Sequence, residues 1–139
     1  MKPSVLLRFA SVLTLIFCAG HTYGALGASL RDPEQAAVFM AMQAFPFEIM
    51  GARRTHWDFY RGFSFLFSVT LLLLAVLLWQ LAGLAKRDPV GVRPFVGSLF
   101  LAYLGFTILS GAYFFIAPAA FSAAVAICLA LAYTSARTG

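Results

Sequence analysis

The sequence predicts an all-α protein: an integral membrane four-helix bundle with a short amphipathic helix in the first extracytoplasmic loop. Three observations carry that expectation. The 139-residue chain holds long apolar stretches at Ser4–Leu26, Phe63–Leu84, Phe95–Ile116 and Phe121–Tyr133. Hydrophobic residues make up 62% of it and charged residues only 11%. Most of those charges fall between the apolar stretches, at Arg31–Arg61, Lys86–Arg93 and Arg137. A spanning helix takes about 20 mainly apolar residues to cross a hydrocarbon core of about 30 Å. Four such helices use nearly the whole length, so we expect a single transmembrane domain over 1–139, with spans near 4–26, 56–85, 94–116 and 118–136.

The first stretch follows Lys2 and contains Arg8, an arrangement shared by secretory signals. It ends, however, in His21, Thr22 and Tyr23 rather than simple small residues, and Phe17 before Cys18 is wrong for a lipoprotein cleavage site. A retained helix is therefore expected. On a helical projection Ser4, Arg8, Ser11, Thr14, Cys18, His21 and Thr22 share one side, opposite Leu6, Phe9, Leu13, Ile16 and Phe17. Polar groups in lipid must face protein or water, so this stripe should turn inward.

The long connection Arg31–Thr55 opens with a helix start. Asp32 suits the N-cap, Pro33 the first helical position and Gln35 the capping-box partner. Val38, Phe39, Met42 and Phe45 give the helix an apolar side, and Pro46 should end or kink it. The second span starts at Thr55, with Asp58 three residues on to favour the helix N-terminus. Arg54 and Arg61 are spaced for salt bridges to Asp58, Trp57 and Tyr60 suit an interfacial belt, and His56, Tyr60, Ser64 and Ser68 form a ridge at four-residue steps. In the third span Tyr103, Thr107, Ser110 and Tyr113 lie on one side. The fourth, beginning at Pro118, carries a ridge of Ala119, Ala123, Ala126 and Ala130, small enough for close helix packing.

The formal charge of +5 does not point to nucleic acid, because the basic residues flank apolar runs and no basic face or nucleic-acid module accompanies them. They read as topology signals. With both termini inside, six basic residues (Lys2, Arg8, Lys86, Arg87, Arg93, Arg137) face a single acid, Asp88. The outside loop holds four of each sign: Arg31, Arg53, Arg54 and Arg61 with Asp32, Glu34, Glu48 and Asp58. The excess of Lys and Arg places both termini in the cytoplasm. Cys18 and Cys128 lie in separate spans with no C-x-x-C, so they read as small buried apolar residues.

Two motifs stand out: Gly20-His21-Thr22 near the end of the first span, and Arg54-Thr55-His56-Trp57-Asp58-Phe59-Tyr60-Arg61-Gly62-Phe63 opening the second. Together they resemble a family of small, uncharacterised bacterial membrane proteins with four helices. The resemblance implies a bacterial inner-membrane location and singles out this cluster, without supplying a reaction.

Ionisable groups beside an intramembrane cavity are functional candidates because burying them in lipid is costly, and histidine is suited to proton transfer near neutral pH. His21, His56, Asp58, Tyr60 and Arg61 are accordingly expected to line an outward-facing polar pocket under the Asp32–Phe45 helix. The structural alternative is capping, interfacial anchoring and inter-helix hydrogen bonding by these same residues. No H-x-x-x-H or H-E-x-x-H spacing, phosphate loop, nucleophile elbow or haem-attachment motif is present, so neither a metal nor a cofactor is expected. Three functions follow. The favoured one is a binding or accessory protein whose partners are membrane lipid, a second copy of the chain or another membrane protein. The alternative is a small enzyme acting on a lipid-like substrate, with His21 or His56 as acid/base and Arg61 holding an anionic group. The last is a transporter, disfavoured because none of the five acids lies in the hydrophobic middle of a span.

Overall fold

A computed structural model describes residues 1–27 and 33–136. The Asp32 N-cap and the charges of Arg31 and Arg137 lie outside the described residues. Four helices are long and apolar enough to cross a membrane: α1 (Pro3–Leu26), α3 (His56–Leu84), α4 (Arg93–Tyr113) and α5 (Ile116–Ser135). Between α1 and α3 come a short helix α2 (Pro33–Ala44) and an antiparallel hairpin of β1 (Phe47–Ile49) and β2 (Ala52–Arg54). The protein is thus a multi-pass membrane protein, with span boundaries within a few residues of those read from hydropathy.

The chain divides into two compact units, Met1–Cys18 with Leu71–Gly139, and Ala19–Thr70. The first is the four-helix bundle. Its core draws Leu6, Leu7 and Ala10 from α1, Leu78, Leu81 and Ala82 from α3, Val96 and Tyr103 from α4, and Val125, Ala126, Leu129 and Ala132 from α5. Tyr103, Leu7, Leu71, Leu78 and Leu129 are its largest fully buried side chains. Between helices in lipid the packing itself and a few hydrogen bonds carry the association. Here the Ser11 hydroxyl donates to the Ala75 carbonyl at 2.7 Å, and the Thr14 and Tyr103 hydroxyls meet at 2.7 Å. The Thr14 hydroxyl also donates to the Ala10 carbonyl at 2.8 Å, which leaves Tyr103 as the donor to Thr14. Phe17 stacks on Phe121, with centroids 5.6 Å apart.

The inward stripe of α1 forms as expected at Ser4, Ser11, Thr14 and Cys18, but it is rotated. Leu6 and Phe17, expected on the lipid side, are buried, while Arg8 is exposed and lies over Trp79 at 4.7 Å. A guanidinium gains more from an aromatic face at the interface than from an apolar core. On α4 the buried line is Val96, Tyr103 and Ser110, at heptad spacing, and Tyr113 is exposed. On α5 the alanine ridge gives way to Ser122, Val125, Ala126, Leu129 and Ala132; of the four alanines only Ala126 is buried. Larger side chains on that neighbouring line fill the bundle centre, where dispersion contacts are densest. Pro118 sits in the first turn of α5, where its missing N–H costs no helical hydrogen bond.

In the second unit α2 ends at Ala44, two residues before Pro46, because a residue preceding proline is pushed away from helical backbone. Its more covered side is Ala36, Phe39 and Met42 rather than a line through Val38 and Phe45. The hairpin that follows pairs Phe47 with Arg54 and Ile49 with Ala52. It had no counterpart in the sequence reading. Its turn places Met50 at φ 51° and Gly51 at φ 80°, the two left-handed residues a tight primed turn requires.

Candidate functional site

All five candidate residues fall in the second unit, on the end of α1 and the first turns of α3. The start of α3 is a reciprocal cap. The Asp58 carboxylate accepts from the Thr55 backbone N–H at 2.8 Å and from its hydroxyl at 2.9 Å, while the Asp58 N–H donates to the Thr55 hydroxyl at 3.2 Å. Thr55 and Asp58 thereby satisfy donors that every helix start leaves open. Arg54 and Arg61 act on Asp58 by charge at a distance, and their direct contacts lie elsewhere. Arg54 donates to the Arg53 carbonyl at 2.8 Å, and Arg61 lies 5.4 Å over the Phe65 ring. An exposed ion pair gives little net stabilisation, whereas capping and apolar contact are locally available.

His21 reaches across to α3. Its Nε2 lies 3.0 Å from the Ser64 carbonyl, and its ring meets Phe67 edge-on at 5.0 Å. A carbonyl can only accept, so Nε2 carries a proton and donates to it. One turn along, the Thr22 hydroxyl donates to the Ser68 hydroxyl at 2.9 Å. Ser64, Ser68 and Thr70 each return a hydrogen bond to the carbonyl four residues earlier, the way hydroxyls are accommodated inside apolar helices.

His56 and Tyr60 belong to a different cluster, made of aromatic rings. His56 packs on Phe47 at 5.1 Å, and Phe47 on Phe59 at 5.7 Å, which ties the hairpin to α3. Tyr60 stacks on Trp57 at 5.4 Å, and both rings meet Phe39 of α2, Trp57 at 5.1 Å and Tyr60 at 6.5 Å. The ridge His56–Tyr60–Ser64–Ser68 therefore divides by partner. Its first half holds α2 and the hairpin, and its second half holds α1. Asp58 lines an open groove of about 270 Å³ on α3, with Arg54, Phe59, Gly62, Phe63 and Leu66. His21, His56, Tyr60 and Arg61 are not among its lining residues. Among the described residues no group of three His, Cys, Asp or Glu side chains is placed to hold a metal ion.

The groove escaped the sequence reading, although its signal was present. Arg54, Asp58, Gly62 and Leu66 follow at four-residue steps, with Phe59 and Phe63 beside them. Comparison of the chain with protein-family models, curated proteins and solved structures gives no match.

Proposed function

We propose that this is a binding or accessory protein of the bacterial inner membrane that assembles with a partner membrane helix through the groove at the start of α3. The groove itself is the observation that supports this reading. Gly62 opens a notch between Phe59, Phe63 and Leu66, and nothing lies within 4 Å of where a Cβ would project there. Small residues in such notches let helix backbones approach closely, and aromatic walls supply contact area. Phe63 and Leu66 are 67% and 63% exposed, so the surface stands ready for a helix.

At its mouth the groove carries one cation, Arg54, and one anion, Asp58. A two-fold axis would set each Arg54 against the partner's Asp58, so the charges favour a second copy of the chain. His21, donating to a main-chain carbonyl, acts here as an inter-helix tie, and His56 as a hairpin anchor. The six-to-four excess of Lys and Arg supports cytoplasmic termini, with the groove on the outer side.

Native mass spectrometry of the gently extracted protein tests the reading. A dimer is expected, converted to monomer by Gly62→Leu, which fills the notch with a side chain whose Cβ meets no atom within 4 Å. His56→Gln should leave the dimer unchanged. A dimer that survives Gly62→Leu, or a bare monomer from the native membrane, would overturn assembly through this groove.

A further inference from the structure

In the first unit every ionised side chain among the described residues sits at one end of the bundle. Lys2 precedes α1, Arg8 lies in its second turn, Lys86 and Arg87 follow α3, and Arg93 opens α4. The Ser11–Ala75 and Arg8–Trp79 contacts run α1 antiparallel to α3, which brings Lys2 level with the end of α3. Against these five cations stands one acid, Asp88, and its carboxylate accepts the Gly91 N–H at 2.8 Å, closing the α3–α4 turn. Arg8 and Arg93 are held over the rings of Trp79 and Tyr133, at 4.7 and 4.4 Å. Arg87 instead lines a second open groove with Gln80, Gly83 and Leu84.

That groove has the chemical profile of a phospholipid. Gln80, Gly83 and Leu84 share one face of the last turns of α3, Arg87 follows in the turn after it, and that face continues back into Leu73, Val76 and Leu77, which are 55%, 45% and 38% exposed. An acyl chain can lie along the aliphatic rail. Gly83 leaves a notch at the level of a glycerol backbone, with nothing within 4 Å of its Cβ position. The Gln80 amide can donate to ester oxygens, and the Arg87 guanidinium to a phosphate in its preferred two-pronged geometry. Lys86, the neighbour of Arg87 in the chain, adds positive charge at the depth where headgroups lie, which favours a net anionic lipid over a zwitterionic one.

We propose that the Gln80–Gly83–Leu84–Arg87 groove binds one anionic phospholipid, with its phosphate on Arg87 and an acyl chain along the Leu73–Leu77 face. The site uses none of the groove residues at the start of α3, so it stands or falls independently of the assembly reading.

The test is native mass spectrometry of the full chain exchanged into mixed micelles with equal phosphatidylglycerol and phosphatidylcholine. Wild type should retain one phosphatidylglycerol in preference to phosphatidylcholine. Arg87→Gln should lower that retention about tenfold, the loss of one charge-assisted contact. Gly83→Leu, which keeps every charge and improves helix propensity, should lower it as well. Lys2→Gln removes an equal charge outside the groove and should change it little. Inorganic phosphate in excess should not displace the lipid. Equal retention of both lipids, undiminished retention in Arg87→Gln or Gly83→Leu, an equal loss in Lys2→Gln, or displacement by phosphate alone would each overturn a lipid site at this position.

Discussion

Thr14 and Tyr103 show how little polarity an apolar bundle tolerates, and how it is managed. Both are fully buried, and each hydroxyl is satisfied through the chain from Tyr103 to Thr14 to the Ala10 carbonyl. Tyr103→Phe removes one inter-helix hydrogen bond and should lower stability by about 1 kcal/mol, the usual scale inside membranes. Ser122 is the contrasting case: equally buried, its hydroxyl has no hydrogen-bond partner among the described residues. Ser122→Ala removes an unsatisfied group and should raise stability by about 1 kcal/mol. Thermal unfolding of the two variants in one detergent would show shifts of opposite sign; a destabilised Ser122→Ala would mean that its hydroxyl is satisfied. At this scale the sequence identified Thr14 as inward-facing, because polarity in a lipid-spanning helix has only one favourable direction, and placed Tyr103 with Thr107 and Ser110 on one side of its span. It left open which hydroxyl would find a partner, since that depends on the rotation of one helix against another.

Among the elements, the start of α3 was the most legible. Thr55 and Asp58 stand at cap spacing, and the reciprocal cap forms between them. Thr55→Ala should speed amide exchange in the first turn of α3 several-fold while leaving the exchange of Leu71–Leu84 unchanged. The hairpin was not legible, because Phe47–Ile49 and Ala52–Arg54 are too short for a period-two pattern and Met50-Gly51 is a poor turn signal. Its Met50 holds a left-handed backbone that a side chain of this type rarely adopts. Met50→Asn should therefore protect the hairpin, giving slower proteolysis between Phe47 and Arg54. Phe39 joins α2 to both Trp57 and Tyr60, so Phe39→Ala should leave α2 open to protease with α3 intact. Such contacts between a loop helix and a span are set by tertiary packing: of the apolar side expected for α2, Phe39 and Met42 are partly covered, while Val38 and Phe45 are exposed.

Across the molecule, stability rests on the bundle of the first unit. Leu129, Leu78 and Leu7 are fully buried there, and Leu129→Ala should cost about 2–5 kcal/mol, seen as a large fall in unfolding temperature. The sequence by itself determined the number of spanning helices, their approximate ends, the short helix before α3 and the separation of charge from apolar runs. Each follows from a local rule: backbone groups in hydrocarbon must be bonded within the helix, and charge must stay near water. Only the tertiary structure decided the outcome where several local choices were equally good. It chose the Ser122–Leu129 line of α5 over the alanine ridge, and it gave His21 to Ser64 but His56 to Phe47. It also left Arg87, rather than Arg8 or Arg93, lining the groove on α3. Helical periodicity says which residues share a face; which face meets which neighbour is settled by how side chains of unequal size fill the space between helices.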